Sequence, residues 1–317
     1  MVEIGRKLVE ERVERPPLER AVRWSLKEGL TSAWFAPALR VGRALRPILP
    51  RVLKDKIPLR GTSGAANPPR SAKGRKVLML QGCVQPAMLP DIDRAAIRVL
   101  DAAGIQTIHA TGTGCCGALR THLSDSQGGL DDMRRNIDAW TPLLDSGEIE
   151  AILSSASACA LAIKEYGHAL AHDAAYAQRA AQVSVLARDL SELLPQLATA
   201  LKEQLRGVPA ERLAFHAPCT LQHGQKLRGG VEAHLRLLGF NVTAACDENH
   251  FCCGSAGAYS VLQPQLARQL RDRKLENLAK LQPATILSAN VGCIQHLQSG
   301  TSIKVMHWIE AIDRALN

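Results

Sequence analysis

A chain of 317 residues, 46% hydrophobic and only 3% aromatic, has room for two domains of ordinary size, with cores packed mainly from aliphatic side chains. The net charge of +9 is unevenly spread: residues 1–76 hold 18 Lys/Arg against 7 Asp/Glu, and residues 77–317 hold 21 against 23, so the basicity belongs to the N-terminal arm. No apolar stretch follows Met1-Val-Glu-Ile-Gly-Arg as a secretory signal requires, and no run reaches the roughly 18 apolar residues of a membrane span; the expected setting is the reducing cytoplasm, where nine cysteines read as ligands or reactive thiols rather than disulfide staples.

Residues 2–29 read as helix, interrupted at Pro16-Pro17, with Val9, Val13, Leu18, Ala21, Trp24, Leu26 and Leu30 set among charges. A second amphipathic stretch, 33–55, carries Trp34, Phe35, Leu39, Val41, Leu45, Ile48, Leu49, Val52 and Leu53 with arginines at 40, 43, 46 and 51 between them. This basic helical arm, 1–56, suits three uses: a hairpin on its own core, a surface for a partner subunit, or a peripheral contact with the anionic inner face of the cytoplasmic membrane. Nucleic acid is not expected, because the arm has no zinc-finger, RNA-motif or helix-turn-helix signature. Pro58, Gly61, Gly64, Pro68, Pro69, Ser71 and Gly74 punctuate a linker over 57–75.

Beyond the linker the same order of elements occurs twice. In the first copy, 76–205, strands are expected at 76–81, 105–108, 151–154 and 183–186, with helices at 90–102, 129–144, 160–171, 173–181 and 189–203. In the second, 206–317, strands fall at 212–216, 240–243, 285–288 and 302–305, and helices at 229–238, 263–280 and 307–316. Apolar strands alternating with helices predict an α/β fold: two homologous half-domains, each a parallel sheet covered by helices, related by an approximate two-fold axis, with the helical arm in front.

Thiols follow the repeat. Cys83, Cys115, Cys116 and Cys159 make one set; Cys219, Cys252, Cys253 and Cys293 make the other; only Cys246 is left over. Between the first cysteine and the pair lie 31 and 32 residues, and between the pair and the last cysteine 42 and 39. Every member sits just after an expected strand, at the sheet edge where α/β proteins bind ligands. Four soft thiolates select zinc, copper(I) or an iron–sulfur core. Adjacent cysteines fit a compact C-x2-C zinc knuckle poorly, and a glycine after each pair lets backbone pass close to a larger inorganic group. Zinc, a vicinal Cys115–Cys116 disulfide used in redox exchange, and plain buried thiols are the alternatives. His109, His216, His223 and His250 lie near the thiols in sequence; His216 and His250, flanking the second set, are the candidates to interact with its sulfurs. Asp91, Asp93 and Asp101 read as a solvated helix face, and Asp247 and Glu248 as surface residues. Phosphate-loop, dinucleotide and serine-elbow motifs are absent, and nothing looks built to bind a flavin.

The residues Gln81-Gly-Cys83, Gly114-Cys-Cys-Gly-Ala-Leu119, Ser155-Ala-Ser-Ala-Cys159, Ala217-Pro-Cys-Thr-Leu-Gln-His-Gly224, Phe251-Cys-Cys-Gly-Ser-Ala-Gly257 and Ser288-Ala-Asn-Val-Gly-Cys-Ile-Gln-His296 resemble the cysteine-rich CCG-domain family. That family includes heterodisulfide reductase B-type subunits and the iron–sulfur subunits of flavin-linked dehydrogenases, and the resemblance is greatest to the glycolate oxidase iron–sulfur subunits. It implies an electron-transfer subunit, not active alone, in a complex whose FAD-containing subunits oxidise glycolate to glyoxylate and pass electrons towards a quinone or similar membrane acceptor. It also implies that the eight cysteines of the double pattern hold iron–sulfur clusters of the 4Fe-4S type. Heterodisulfide reductase-like, lactate-linked or glycerol-3-phosphate-linked subunits, and a zinc-stapled structural protein, are the competing readings. Two departures stand out. Such relatives begin with a ferredoxin-like domain bearing C-x2-C-x2-C-x3-C-P runs, and this sequence has no such run. The family repeat also ends in C-x-x-C, whereas Ala156 and Asn290 stand at the first of those two positions here.

Overall fold

The computed structural model describes residues 12–49, 57–58, 74–245 and 247–316, together with Gly5, Leu8 and Val9. Most of the expected linker and Cys246 therefore lie outside the described residues.

Two four-stranded parallel sheets form the frame. In the first, β1 (Arg75–Met79), β2 (Ile105–Ile108), β3 (Ala151–Ser154) and β4 (Ala187–Asp189) lie in the order β2-β1-β3-β4. In the second, β5 (Leu213–Phe215), β6 (Val242–Ala244), β7 (Thr285–Ser288) and β8 (Lys304–His307) repeat it as β6-β5-β7-β8. All the pairings are parallel, with Leu78 beside Ile152 in one centre and Ala214 beside Ile286 in the other. The central strands are apolar runs because helices cover both their faces; every residue of β3, β5 and β7 is buried. Each chain segment leaves its first strand to one side and returns on the other, so the connections diverge between β1 and β3 and between β5 and β7. That divergence lies at the strands' carboxyl ends, the place where open parallel sheets bind ligands.

Strand alternation divides the first sheet between two cores. Leu78 and Ile152 face Ile137, Trp140, Ile163 and Tyr166 within the first half. Val77, Met79 and Leu153 face a core continuous with the second half, reaching Leu194, Leu235, Ile286, Trp308 and Ile312. The halves are thus joined by apolar packing. Arg98 reinforces it across the seam with a two-pronged bond to Asp313 at 2.7 and 2.5 Å.

One expected strand is a helix end. Residues 183–186 close the helix Ala177–Leu186, and β4 follows at once. Ala180 and Val183 are buried at helical spacing, whereas Val185, which a strand of alternating pattern would have turned inward with Val183, is 69% exposed. The expected helix 160–171 begins earlier, at Ser157, and breaks after Lys164.

The arm does not build a core of its own among the described residues. Pro17 opens the helix Pro17–Thr31, as a proline can at a first turn, and none of that helix is buried. Phe35–Leu45 buries only Leu39. Polar anchors tie the arm to the first half instead: Arg120 holds Glu28 at 3.0 Å with both terminal nitrogens, and Arg43 donates to the carbonyls of Ala87 and Met88. Trp24, Trp34 and Ile48 are left 63%, 79% and 79% exposed. No described helix is long and apolar enough to cross a membrane.

At the seam's polar edge sits His307, fully buried at the end of β8. Its Nε2–H donates to the carbonyl of Ser155 in the first half at 2.9 Å, and its Nδ1 accepts from the N–H of Ile309 at 3.2 Å. Both nitrogens are used by the neutral ring, and burial lowers its pKa from 6.5 to about 3. Below about pH 6.5 the unfolded chain therefore binds a proton that the folded one refuses, and stability falls as the pH drops through that window. The urea midpoint is expected to decline from pH 6.5 towards 3. His307→Gln should flatten that slope; equal slopes for the two proteins would refute the assignment.

Candidate metal centre

In the first half, the chain leaves β1 through Gly82 and presents Cys83; Cys115 and Cys116 follow β2; Cys159 lies in the first turn of the helix Ser157–Lys164 after β3. Gly117 shapes the pair's turn. Its φ is +88°, and a Cβ there would stand 2.6 Å from the carbonyl oxygen of Gly129 in the helix Ser126–Asp145. Asn136, on the same helix, clamps the loop: it accepts from the N–H of Gly114 at 2.9 Å and donates to the carbonyl of Cys115 at 2.8 Å. Tyr166 donates to the carbonyl of Cys116 at 3.0 Å.

These constraints bring the four sulfurs together in a chain of neighbours, Cys83 beside Cys115, Cys115 beside Cys116 and Cys116 beside Cys159. Cys116 and Cys83 donate hydrogen bonds to Cys115, whose pKa falls strongly because of them, and Cys116 also meets Cys159. Backbone N–H groups of Gly117 and Leu119 add to the effect on Cys115. Cys83 and Cys116 are pushed up, chiefly by proximity to Cys115.

The second half repeats the construction. Cys219 and Cys253 donate to Cys252, lowering its pKa, while Cys253 also meets Cys293. The N–H of Gly254 donates to the Cys252 sulfur at 3.3 Å. Gly254 has φ +85°, and its Cβ would stand 2.3 Å from the carbonyl oxygen of Ala267 in the helix Pro264–Ala279. Asn290 directs its amide towards the Cys293 sulfur at 3.7 Å. His296 donates to the same Ala267 carbonyl at 3.0 Å, fixing the surface on which the glycine rests.

The two sites differ in their surroundings. Gly129 and Ala267 are equivalent contacts of the two glycines, which makes Asn136 in one helix the counterpart of Lys274 in the other. Lys274 is 2% exposed; its ammonium donates to the carbonyls of Glu248 and Asn249 at 2.7 and 3.3 Å and interacts with Cys219, Cys253 and Cys252. Near the first site the nearest fixed charges include Asp132, whose pKa rises to about 6 through burial and the field of Cys115.

All eight cysteines of the sequence pattern reach these two sites, and all are free thiols. His216 is buried at the second; His250 is exposed, with its ring on Phe251 at 4.6 Å. His223 is also exposed and bonds to the His250 carbonyl at 3.0 Å. Asp93, expected on a solvated face, is tied to Gln85 and Ser155, each at 2.7 Å, and braces the loops that lead to Cys83 and Cys159. Glu248 pairs with Arg273 and accepts from Asn277 at 3.0 Å rather than facing the thiols freely. Asn136, Tyr166 and Lys274 were not legible as site residues; in sequence each is one more polar residue in an amphipathic helix.

Four thiols per site, each beside the next and largely withdrawn from water, fit a thiophilic metal or iron–sulfur core. The profile of the cysteine-rich CCG domain matches residues 77–164 and 213–298, the two segments that hold these sites. The chain belongs to the CCG cysteine-rich domain family. Among similar proteins, the glycolate oxidase iron–sulfur subunit of Escherichia coli (strain K12) is 46% identical over 317 residues, all of this chain and 76% of that protein. The probable glycolate oxidase iron–sulfur subunit of Bacillus subtilis (strain 168) is 24% identical over 71% of this chain and 50% of its own length. Lactate utilization protein A of Bacillus licheniformis is 25% identical over 75% of this chain and 99% of its own.

The CCG glycines give a direct test of this construction. Gly117→Ala and Gly254→Ala each force a Cβ onto a helix carbonyl and a left-handed φ, and should cost roughly 2 kcal/mol or more. Gly82→Ala, also at positive φ but with nothing within 4 Å, should cost about 1–2 kcal/mol from the backbone alone. Urea unfolding of the three variants gives the ranking, and a Gly82 variant as damaged as the others would contradict the close-approach argument.

Proposed function

We propose that this chain is the electron-transfer iron–sulfur subunit of a flavin-dependent glycolate-oxidising complex. The observation that carries the reading is the pair of four-thiol sites in a chain 46% identical throughout to a glycolate oxidase iron–sulfur subunit. Cys83, Cys115, Cys116 and Cys159 would hold one iron–sulfur centre, and Cys219, Cys252, Cys253 and Cys293 the other. Such a centre accepts and releases single electrons; the protein's part is to hold it, exclude water and set its potential through nearby charge and hydrogen bonds. Two-electron oxidation of glycolate to glyoxylate would take place on FAD-containing partner subunits, which hand electrons to this one. The lactate utilization relative favours a second reading, service to a lactate-oxidising complex, with the same thiol chemistry and a different partner.

In this proposal the arm is the docking surface for the flavin subunits. Supporting it are the exposed rings of Trp24 and Trp34 and the exposed Ile48, on helices anchored to the first half by Arg120 and Arg43. A cytoplasmic position against the inner membrane face, where a quinone could be reached, is the peripheral alternative for the same surface.

Anaerobically purified full chain is expected to carry iron and acid-labile sulfide. Cys115→Ser and Cys252→Ser should each remove about half of both; zinc without sulfide would overturn the iron–sulfur reading. Because the thiols around Cys115 and Cys252 hold their protons, loading of the apo chain should release protons and weaken as the pH falls.

Co-expression with the flavin subunits tests the arm. The triple variant Trp24→Ser, Trp34→Ser, Ile48→Ser should lose co-purification while keeping its iron content. Undiminished co-purification would remove the arm from the interface.

A further inference from the structure

We propose that His216 is a nitrogen ligand of the metal centre in the second site, so that the two sites hold centres of different ligand composition. The inference deepens the iron–sulfur reading and rests on it for the identity of the metal.

The first observation is position. A ring nitrogen of His216 and the sulfurs of Cys253 and Cys293 all lie within 4.8 Å of one another, a spacing that one metal ion or one cluster edge can bridge. The second is an unmet bond. His216 is 1% exposed, its Nδ1 lies 3.0 Å from the Ser288 hydroxyl, and its Nε2 is buried with no hydrogen-bond partner. An unpaired imidazole nitrogen in a dry interior is costly, and metal coordination satisfies it. With Nδ1–H donating to Ser288, the lone pair on Nε2 is free, the arrangement in which metal-bound histidines are oriented by a hydrogen bond from the other nitrogen.

Comparison within the chain makes the residue specific to one site. At the same offset before the first cysteine, the first half has Leu80, buried and without a donor atom. Ala156 offers nothing either, and Asn290 is engaged as a donor towards Cys293. The first site therefore has four thiols, and the second has four thiols and an imidazole. Neutral nitrogen brings less negative charge to a centre than thiolate, and replacement of thiolate by histidine raises iron–sulfur potentials. The buried ammonium of Lys274 acts in the same direction, so the second centre should be the easier to reduce.

The test uses the full chain, purified anaerobically with natural and 15N-labelled histidine, reduced, and studied by pulsed EPR. A coordinated-imidazole coupling that changes with the isotope, and that His216→Cys abolishes while iron and sulfide are retained, is the expected result. The same variant should lower the midpoint potential of the second centre by more than that of the first. His216→Ala should also lose the coupling. Iron and sulfide at both sites with no coordinated nitrogen, or a coupling unchanged in His216→Cys, overturns the ligand assignment and leaves the iron–sulfur reading intact. Should the second site hold zinc, X-ray absorption decides the same point: a zinc-bound nitrogen replaced by sulfur in His216→Cys supports the assignment, and an all-sulfur environment defeats it. A chain that takes up no metal at all defeats both readings.

Discussion

Each cysteine pair is held in place by a left-handed glycine lying on the carbonyl of a helix. At Gly117 and Gly254 no side chain fits, because a Cβ would overlap the oxygen of Gly129 or Ala267. The close approach draws the loop after the second strand down onto the helix that follows it, and sets the two sulfurs beside those of the other two cysteines. The other two cysteines need only stand at the ends of β1 and β3, or β5 and β7, to complete each set. Parallel topology supplies that placement, since all these strand ends lie at one edge.

The repeated frame accommodates unlike contents. Where the first half clamps its loop with the neutral amide of Asn136, the second uses the ammonium of Lys274; where the first packs Leu80, the second packs His216. Neither exchange disturbs the sheets or the glycine contact. Both change the electrostatics within a few side chains of the sulfurs, where low local dielectric makes fixed charge most effective. One scaffold thus supports two differently tuned environments.

Much of this was legible from residues. Cysteine spacing anticipated that the thiols gather in two groups, because each thiol follows a strand, and strand ends are marked by apolar runs that stop at glycine, proline or serine. The fourth strand of the first half was misplaced because Val183-Ser-Val-Leu186 has strand-like composition, while tertiary packing buries Ala180 with Val183 at helical spacing. His216 was singled out for adjacency to Cys219, but adjacency served equally for His250, which faces solvent; only the fold distinguishes them. Lys274 lay hidden in a charged helix, since sequence cannot tell which lysine of such a helix is drawn inward by loop carbonyls. Asp93 was misread for a similar reason, its partner Ser155 being 62 residues away.

The seam between the halves has a final consequence. The N–H of Ser157 donates to the carbonyl of Ala289 at 3.0 Å, its hydroxyl meets that of Thr220 at 2.8 Å, and Gln225 donates to its carbonyl at 3.0 Å. Cys159, Cys219 and Cys293 thus hang from segments that touch one another across the seam. In the proposed iron–sulfur reading, charge placed at one site would be felt at the other across this contact, because partly buried charges are poorly screened.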